Sequence, residues 1–166
     1  MNNCNGSINE KLIISATNYT RSIIGIDEAL WVFINDGTIF KSIHHSGMYD
    51  KEHFVIRYNR EWLKTAEFER IIKCAFHEVF HVVQHAELIA RKHGIKSALF
   101  NDEELDQLEF EFRDENYSDS HLAWSSYLAE QQADSFADQL YEKFIKRYKD
   151  IDGFIAKYYE MYPNKE

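Results

Sequence analysis

The chain has 166 residues, of which 28% are charged and 45% hydrophobic, and it carries a formal net charge of -9. This length fits a single domain over residues 1–166, and the acidic balance disfavours a nucleic-acid partner because phosphates would be repelled. The opening residues lack the cationic start and apolar run of a signal peptide, and no stretch approaches the roughly 18 apolar residues of a membrane span. We therefore expect a cytoplasmic protein without a membrane partner.

The first half of the chain predicts a small antiparallel or mixed sheet. The segment from Asn9 to Gly25 is ambiguous. Leu30 to Ile34 and Ile39 to Lys41 flank an Asp-Gly pair, which is typical of a tight turn, so we expect a hairpin there. Alternating apolar residues predict a third strand from Phe54 to Tyr58.

The rest of the chain predicts helices. Apolar residues at helical spacing extend from Asn59 to His93, and Gly94 is well placed to end this long helix. The acidic region from Asn101 to Ser120 fits either a helix or a flap. A second amphipathic helix is expected from Ser120 to Tyr148 and a short one from Ile151 to Tyr162. Together these elements predict an α+β fold.

The long helix contains the sequence HEVFH at residues 77–81. His77 and His81 are four residues apart and therefore project from the same side of a helix. Neutral imidazole nitrogens bind zinc at about 2.0–2.1 Å, so both rings can hold one ion. Glu78 would lie beside the ion, which suits a general base that takes a proton from activated water. The motif predicts a zinc-dependent hydrolase.

A catalytic zinc site needs a third protein ligand and an open position for water. His85 and Glu130 are the two candidates. His85 lies eight residues from His77, about 12 Å along a helix, which disfavours it. Glu130 and Asp134 lie four apart, so Glu130 can ligate while Asp134 accepts a hydrogen bond from a ligand imidazole. The alternative is that both are ordinary surface carboxylates.

The chain resembles the zincin metallopeptidases of the glutamate-ligand type, because HEVFH is followed by EQQAD and then SFA. Within that group, the two motifs are most similar to those of the small cytoplasmic ImmA/IrrE-like peptidases. The resemblance implies that His77, His81 and Glu130 bind zinc, that Glu78 is the base and that Asp134 supports a ligand. It also implies a zincin-like fold in which strands precede the active-site helix and one edge strand binds extended substrate. The forty-eight residues between His81 and Glu130 exceed the separation expected for the ImmA/IrrE type.

These features predict a zinc metallopeptidase that acts on a peptide or protein substrate. Such an enzyme needs a donor to the oxyanion of the transition state, and Tyr127 and His121 are weak candidates. Two other hypotheses remain open. One is a catalytically inactive module of the same fold that binds a protein partner, and the other is a domain without metal whose histidines are structural.

Overall fold

The computed structural model describes residues 7–26, 30–116 and 125–162, which form an α+β fold. Within these ranges there are six α-helices and a three-stranded mixed sheet. The helices are α1 (Ile8–Ile24), α2 (Arg60–Leu63), α3 (Phe68–Lys92), α4 (Asp102–Glu111), α5 (Leu128–Arg147) and α6 (Ile151–Tyr158). The strands are β1 (Trp31–Asn35), β2 (Gly47–Asp50) and β3 (Val55–Asn59).

The sheet has the order β1-β3-β2, so β3 is the central strand. β1 pairs with β3 in parallel, and β2 pairs with β3 in the antiparallel direction. Because side chains alternate between the faces of a strand, Val32, Ile56 and Tyr58 share one face, and all three are buried in the main core. The predicted strand from Phe54 to Tyr58 is confirmed, shifted by one residue as β3.

The predicted hairpin around Asp36-Gly37 is wrong. β1 ends at Asn35, and Gly37–Ile39 form a single 3-10 turn instead of the start of a returning strand. Gly37 does not adopt the positive φ that a tight hairpin turn requires. A Cβ at this glycine would lie 3.0 Å from Cγ of Glu61, so the glycine permits close approach to α2 instead.

Helix α3 is the centre of the fold. It packs against α1, against α5 and against the edge strand β2. Its apolar face includes Ile72, Phe76 and Val79, each of which is almost fully buried. Rings from α1, α5 and α6 pack around Phe76 and one another, namely Tyr19, Phe144, Phe154 and Tyr158. Helix α3, which contains HEVFH, is therefore held on several sides by apolar contacts.

The expected long helix from Asn59 to His93 forms as two helices, α2 and α3. Gly94 follows α3 with φ +74°, the left-handed conformation predicted for it. The acidic region contains helix α4, and the expected second helix begins at Leu128 in the described residues. No helix in the described ranges is long and apolar enough to cross a membrane.

Candidate metal centre

The two histidines of HEVFH lie on one side of α3, in the middle of the helix. Each imidazole belongs to a residue that is 9% exposed. The Nε2 atoms of His77 and His81 are 3.0 Å apart. The spacing of one helical turn has therefore brought both rings to a single point, as the sequence predicted.

Glu130 reaches the same point from the first turn of α5. Its Oε2 lies 3.0 Å from Nε2 of His77, and its Oε1 lies 3.4 Å from Nε2 of His81. Ala133, one turn later on α5, is fully buried, and this small side chain permits close packing of the helices. One ligand atom from each of the three residues lies within 4.8 Å of the others, so the group could hold a metal ion.

The distances between the three groups suit one small cation. Ligands placed about 2.0–2.1 Å from a tetrahedral zinc ion are about 3.3 Å from one another. The separations here are 3.0 Å between the two Nε2 atoms and 3.0 and 3.4 Å from these to the carboxylate. Two imidazoles and one carboxylate are also a donor set of catalytic zinc sites. The residues present therefore fit a zinc ion.

Hydrogen bonds at the far side of each ring fix which nitrogen faces the centre. Nδ1 of His77 donates to Oδ1 of Asp134 at 2.8 Å. Nδ1 of His81 donates to Oε1 of Gln84 at 2.8 Å. That oxygen is an acceptor because the amide nitrogen of Gln84 donates to the carbonyl oxygen of Ala129 at 3.0 Å. With both Nδ1 atoms acting as donors, the two Nε2 atoms face each other with lone pairs, unless a proton or a cation lies between them.

The charges at this point also favour a cation. Burial lowers the pKa of His77, but hydrogen bonds to Asp134 and Glu130 outweigh it and raise that pKa to about 10. Burial raises the pKa of Glu130, but its contacts with His77 and His81 outweigh it and lower that pKa to about 2. The carboxylate of Glu130 is therefore ionised, and the place between the rings is one that attracts positive charge.

Glu78 lies beside this group and is 6% exposed. Burial raises the pKa of its carboxyl group, and the nearby His77 and His81 lower it, with burial the stronger influence. Its Oε2 has no hydrogen-bond partner among the described residues. A buried carboxylate that keeps one oxygen unpaired next to a candidate metal centre can accept a proton there.

Comparison with protein-family models, curated proteins and solved structures gave no match. The family resemblance suggested by the two motifs therefore stays a prediction.

His85 and Tyr127, two of the other candidate residues, make their hydrogen bonds away from this group. Nδ1 of His85 and the hydroxyl of Tyr49 share a hydrogen bond of 2.9 Å, and the His85 ring stacks with Phe54 and with Phe112. The hydroxyl of Tyr127 donates to the carbonyl oxygen of Asn116 at 2.8 Å. Position 121, the predicted site of the donor His121, lies outside the described residues. The proposed roles of Tyr127 and His121 stay predictions.

Gln84 contacts a candidate ligand ring from outside the centre, and the sequence prediction missed it. It is fully buried, and it bonds to the ring of His81, to the backbone of α5 and to Oε1 of Gln132. The available signal was its position three residues after His81, where a side chain lies on the same helical face. A polar residue at such a position in a largely apolar helix is a candidate partner for the ligand ring.

Proposed function

We propose that this chain is a zinc-dependent metallopeptidase with a zincin-like fold. The observation that carries the proposal is the orientation of the two imidazoles. Both Nδ1 atoms donate outward, so both Nε2 atoms converge on the carboxylate of Glu130. Without a cation, at least one buried proton must be shared among these groups, whereas a zinc ion accepts all three ligands at once.

The residues of the centre have distinct roles in this proposal. His77, His81 and Glu130 would hold the zinc, and Asp134 and Gln84 would orient the two rings. A bound zinc ion supplies Lewis acidity, which lowers the pKa of water toward neutrality and polarises a carbonyl group. Glu78 takes a proton from the attacking water on its carboxylate and later delivers it to the amine that leaves. Its buried position, which raises its pKa, suits both steps.

The arrangement of the sheet supports a peptide as substrate. β2 is an edge strand of the described sheet and packs against α3, the helix that supplies Glu78. An extended peptide can add to such an edge through main-chain hydrogen bonds, which would bring its carbonyl groups near the centre. This possibility favours a peptide over a small ester as the proposed substrate.

The test is to compare the wild-type chain with Glu78→Gln on a mixture of peptides, with zinc content measured in both. We expect both proteins to hold zinc and the variant to lose about 100- to 10,000-fold in the rate of peptide cleavage, the usual contribution of a general base. Glu87→Gln is the matched control because it makes the same change later on the same helix. Equal cleavage by wild type and Glu78→Gln would reject the assignment of the base. A wild-type protein that holds zinc but cleaves no peptide would favour the non-catalytic binding module.

A further inference from the structure

Helix α5, which supplies Glu130, begins without a cap from its own sequence. Its N-cap residue is Tyr127, whose side chain makes no capping hydrogen bond. The first N–H groups of a helix have no partners within the helix. Glu130 is the third residue of α5, so its position depends on how firmly this first turn is held.

A carboxylate from helix α4 supplies the missing cap. Oε1 of Glu111 accepts a hydrogen bond from the backbone N–H of Leu128 at 2.8 Å, and Oε2 accepts one from the N–H of Ala129 at 2.8 Å. The amide of Gln107 also donates to Oε1 of Glu111 at 2.8 Å. Glu111 is only 7% exposed, so these bonds are shielded from water. A buried negative charge at a helix N-terminus also interacts favourably with the helix dipole.

Further contacts fix α4 at this place. Leu105 and Leu108 of α4 form a small core of their own with Leu88 of α3 and Ala129 of α5. The packing sets the distance between the acidic helix and the start of α5. Helix α4 therefore contacts the first turn of α5 both through Glu111 and through this small core.

We infer that Glu111 is a positioning residue for the metal ligand Glu130, and that the acidic helix α4 serves to hold the ligand helix in place. This inference rests on the proposed metal centre. Loss of the two backbone bonds would free the first turn of α5. Because the carboxylate of Glu130 lies only 3.0 to 3.4 Å from the two Nε2 atoms, a small displacement of that turn removes it from the centre.

The test is the zinc affinity of Glu111→Gln, measured by competition with a chelator, together with the visible spectrum of the Co²⁺-substituted protein. The amide offers one oxygen where the carboxylate offers two, so one backbone N–H loses its acceptor. We expect zinc affinity to fall about 10- to 100-fold, the usual effect of removing support from a ligand. We also expect the Co²⁺ spectrum to change, because the carboxylate ligand is displaced. Glu103→Gln, which makes the same charge change at an exposed position of α4, should bind zinc as the wild type does.

A rescue variant separates positioning from general stability. The backbone of Tyr127 has φ -67° and ψ 138°, which an N-cap residue adopts. Aspartate at this position can accept the N–H of Ala129 or Glu130 from within α5. Tyr127→Asp combined with Glu111→Gln should therefore recover zinc affinity and the wild-type Co²⁺ spectrum.

Each outcome bears on a different claim. Unchanged affinity and spectrum in a folded Glu111→Gln protein would overturn the positioning role while leaving the proposed function intact. The positioning role would also be overturned if Tyr127→Asp alone binds zinc as the wild type does but fails to restore binding in Glu111→Gln, because the loss would then not come from the missing cap. A wild-type protein that binds neither zinc nor Co²⁺ would overturn both this inference and the proposed function.

Discussion

Replacing Gln84 with leucine should weaken zinc binding, although Gln84 itself does not reach the centre. Gln84 is fully buried and accepts the Nδ1 proton of His81 at 2.8 Å. Leucine has a similar size but no acceptor, so the ring would keep a buried N–H without a partner, or turn away from the centre. Leaving such a donor unsatisfied costs about 1–3 kcal/mol. At about 1.4 kcal/mol per tenfold, that cost corresponds to a loss of about 5- to 150-fold in zinc affinity. This range includes the usual effect of about 10- to 100-fold when a partner of a ligand histidine is removed.

The assay is a competition titration with a chromophoric zinc chelator, carried out on the folded protein. Gln132→Leu is the matched control, because Gln132 bonds to the amide of Gln84 and leaves the bond between Gln84 and His81 in place. We expect the control to retain affinity close to that of the wild type. A Gln84→Leu protein that folds and binds zinc within about twofold of the wild type would refute the reasoning, because the smallest expected loss is about fivefold.

Three further predictions concern the partner of the His77 ring, the apolar core and the residue that follows α3. Asp134→Ala should weaken zinc binding by about tenfold, less than Gln84→Leu does, because the Asp134 side chain is 65% exposed and water can replace it. Asp138→Ala is its control on the same helix, and an equal loss in both variants would contradict the role of Asp134. Phe144→Ala should lower the free energy of unfolding by about 3–5 kcal/mol in a denaturant titration, since this ring is 1% exposed. A loss below about 1 kcal/mol would show that the site of this ring is poorly packed. Gly94→Ala should lower the free energy of unfolding by about 1–2 kcal/mol, because φ is +74° at this residue. No atom lies within 4 Å of the added Cβ, so the loss would come from the backbone conformation and not from a clash. An unchanged free energy of unfolding would show that this left-handed backbone can relax.

The sequence predicted which three side chains of the candidate metal centre come together, namely His77, His81 and Glu130. HEVFH combines two fixed helical positions with residue types that bind zinc, so the placement of His77 and His81 on one side of the helix follows from helix geometry. The approach of Glu130 to these histidines depends on the long-range packing of α3 against α5. The spacing within EQQAD only suggested that packing. The α+β class was also predicted from periodicity, and the expected sheet, antiparallel or mixed, formed as a mixed sheet.

The failures of prediction have physical causes in tertiary structure. Asp36-Gly37 has the composition of a hairpin turn. However, β1 pairs with β3, which comes later in the chain and runs parallel to it, and not with the segment that follows Gly37. Helix α1 was ambiguous because its buried face carries polar residues. Thr17 bonds to the hydroxyl of Tyr58 and the amide of Asn18 donates to the carbonyl oxygen of Tyr158, so these side chains are satisfied inside the core. Partners that lie far away in sequence cannot be read from local periodicity.

The most direct test of the metal centre is elemental analysis of protein purified without chelator, for the wild type, His81→Ala, Glu130→Ala and His85→Ala. His85→Ala is the matched control, since His85 lies one turn after His81 on the same helix but outside the group. We predict about one zinc per chain in the wild type and in His85→Ala, and loss of zinc in the other two variants, as expected for a site with three protein ligands. A wild-type protein that holds no metal even after zinc is added, or a Glu130→Ala protein that keeps its zinc at full affinity, would contradict the account.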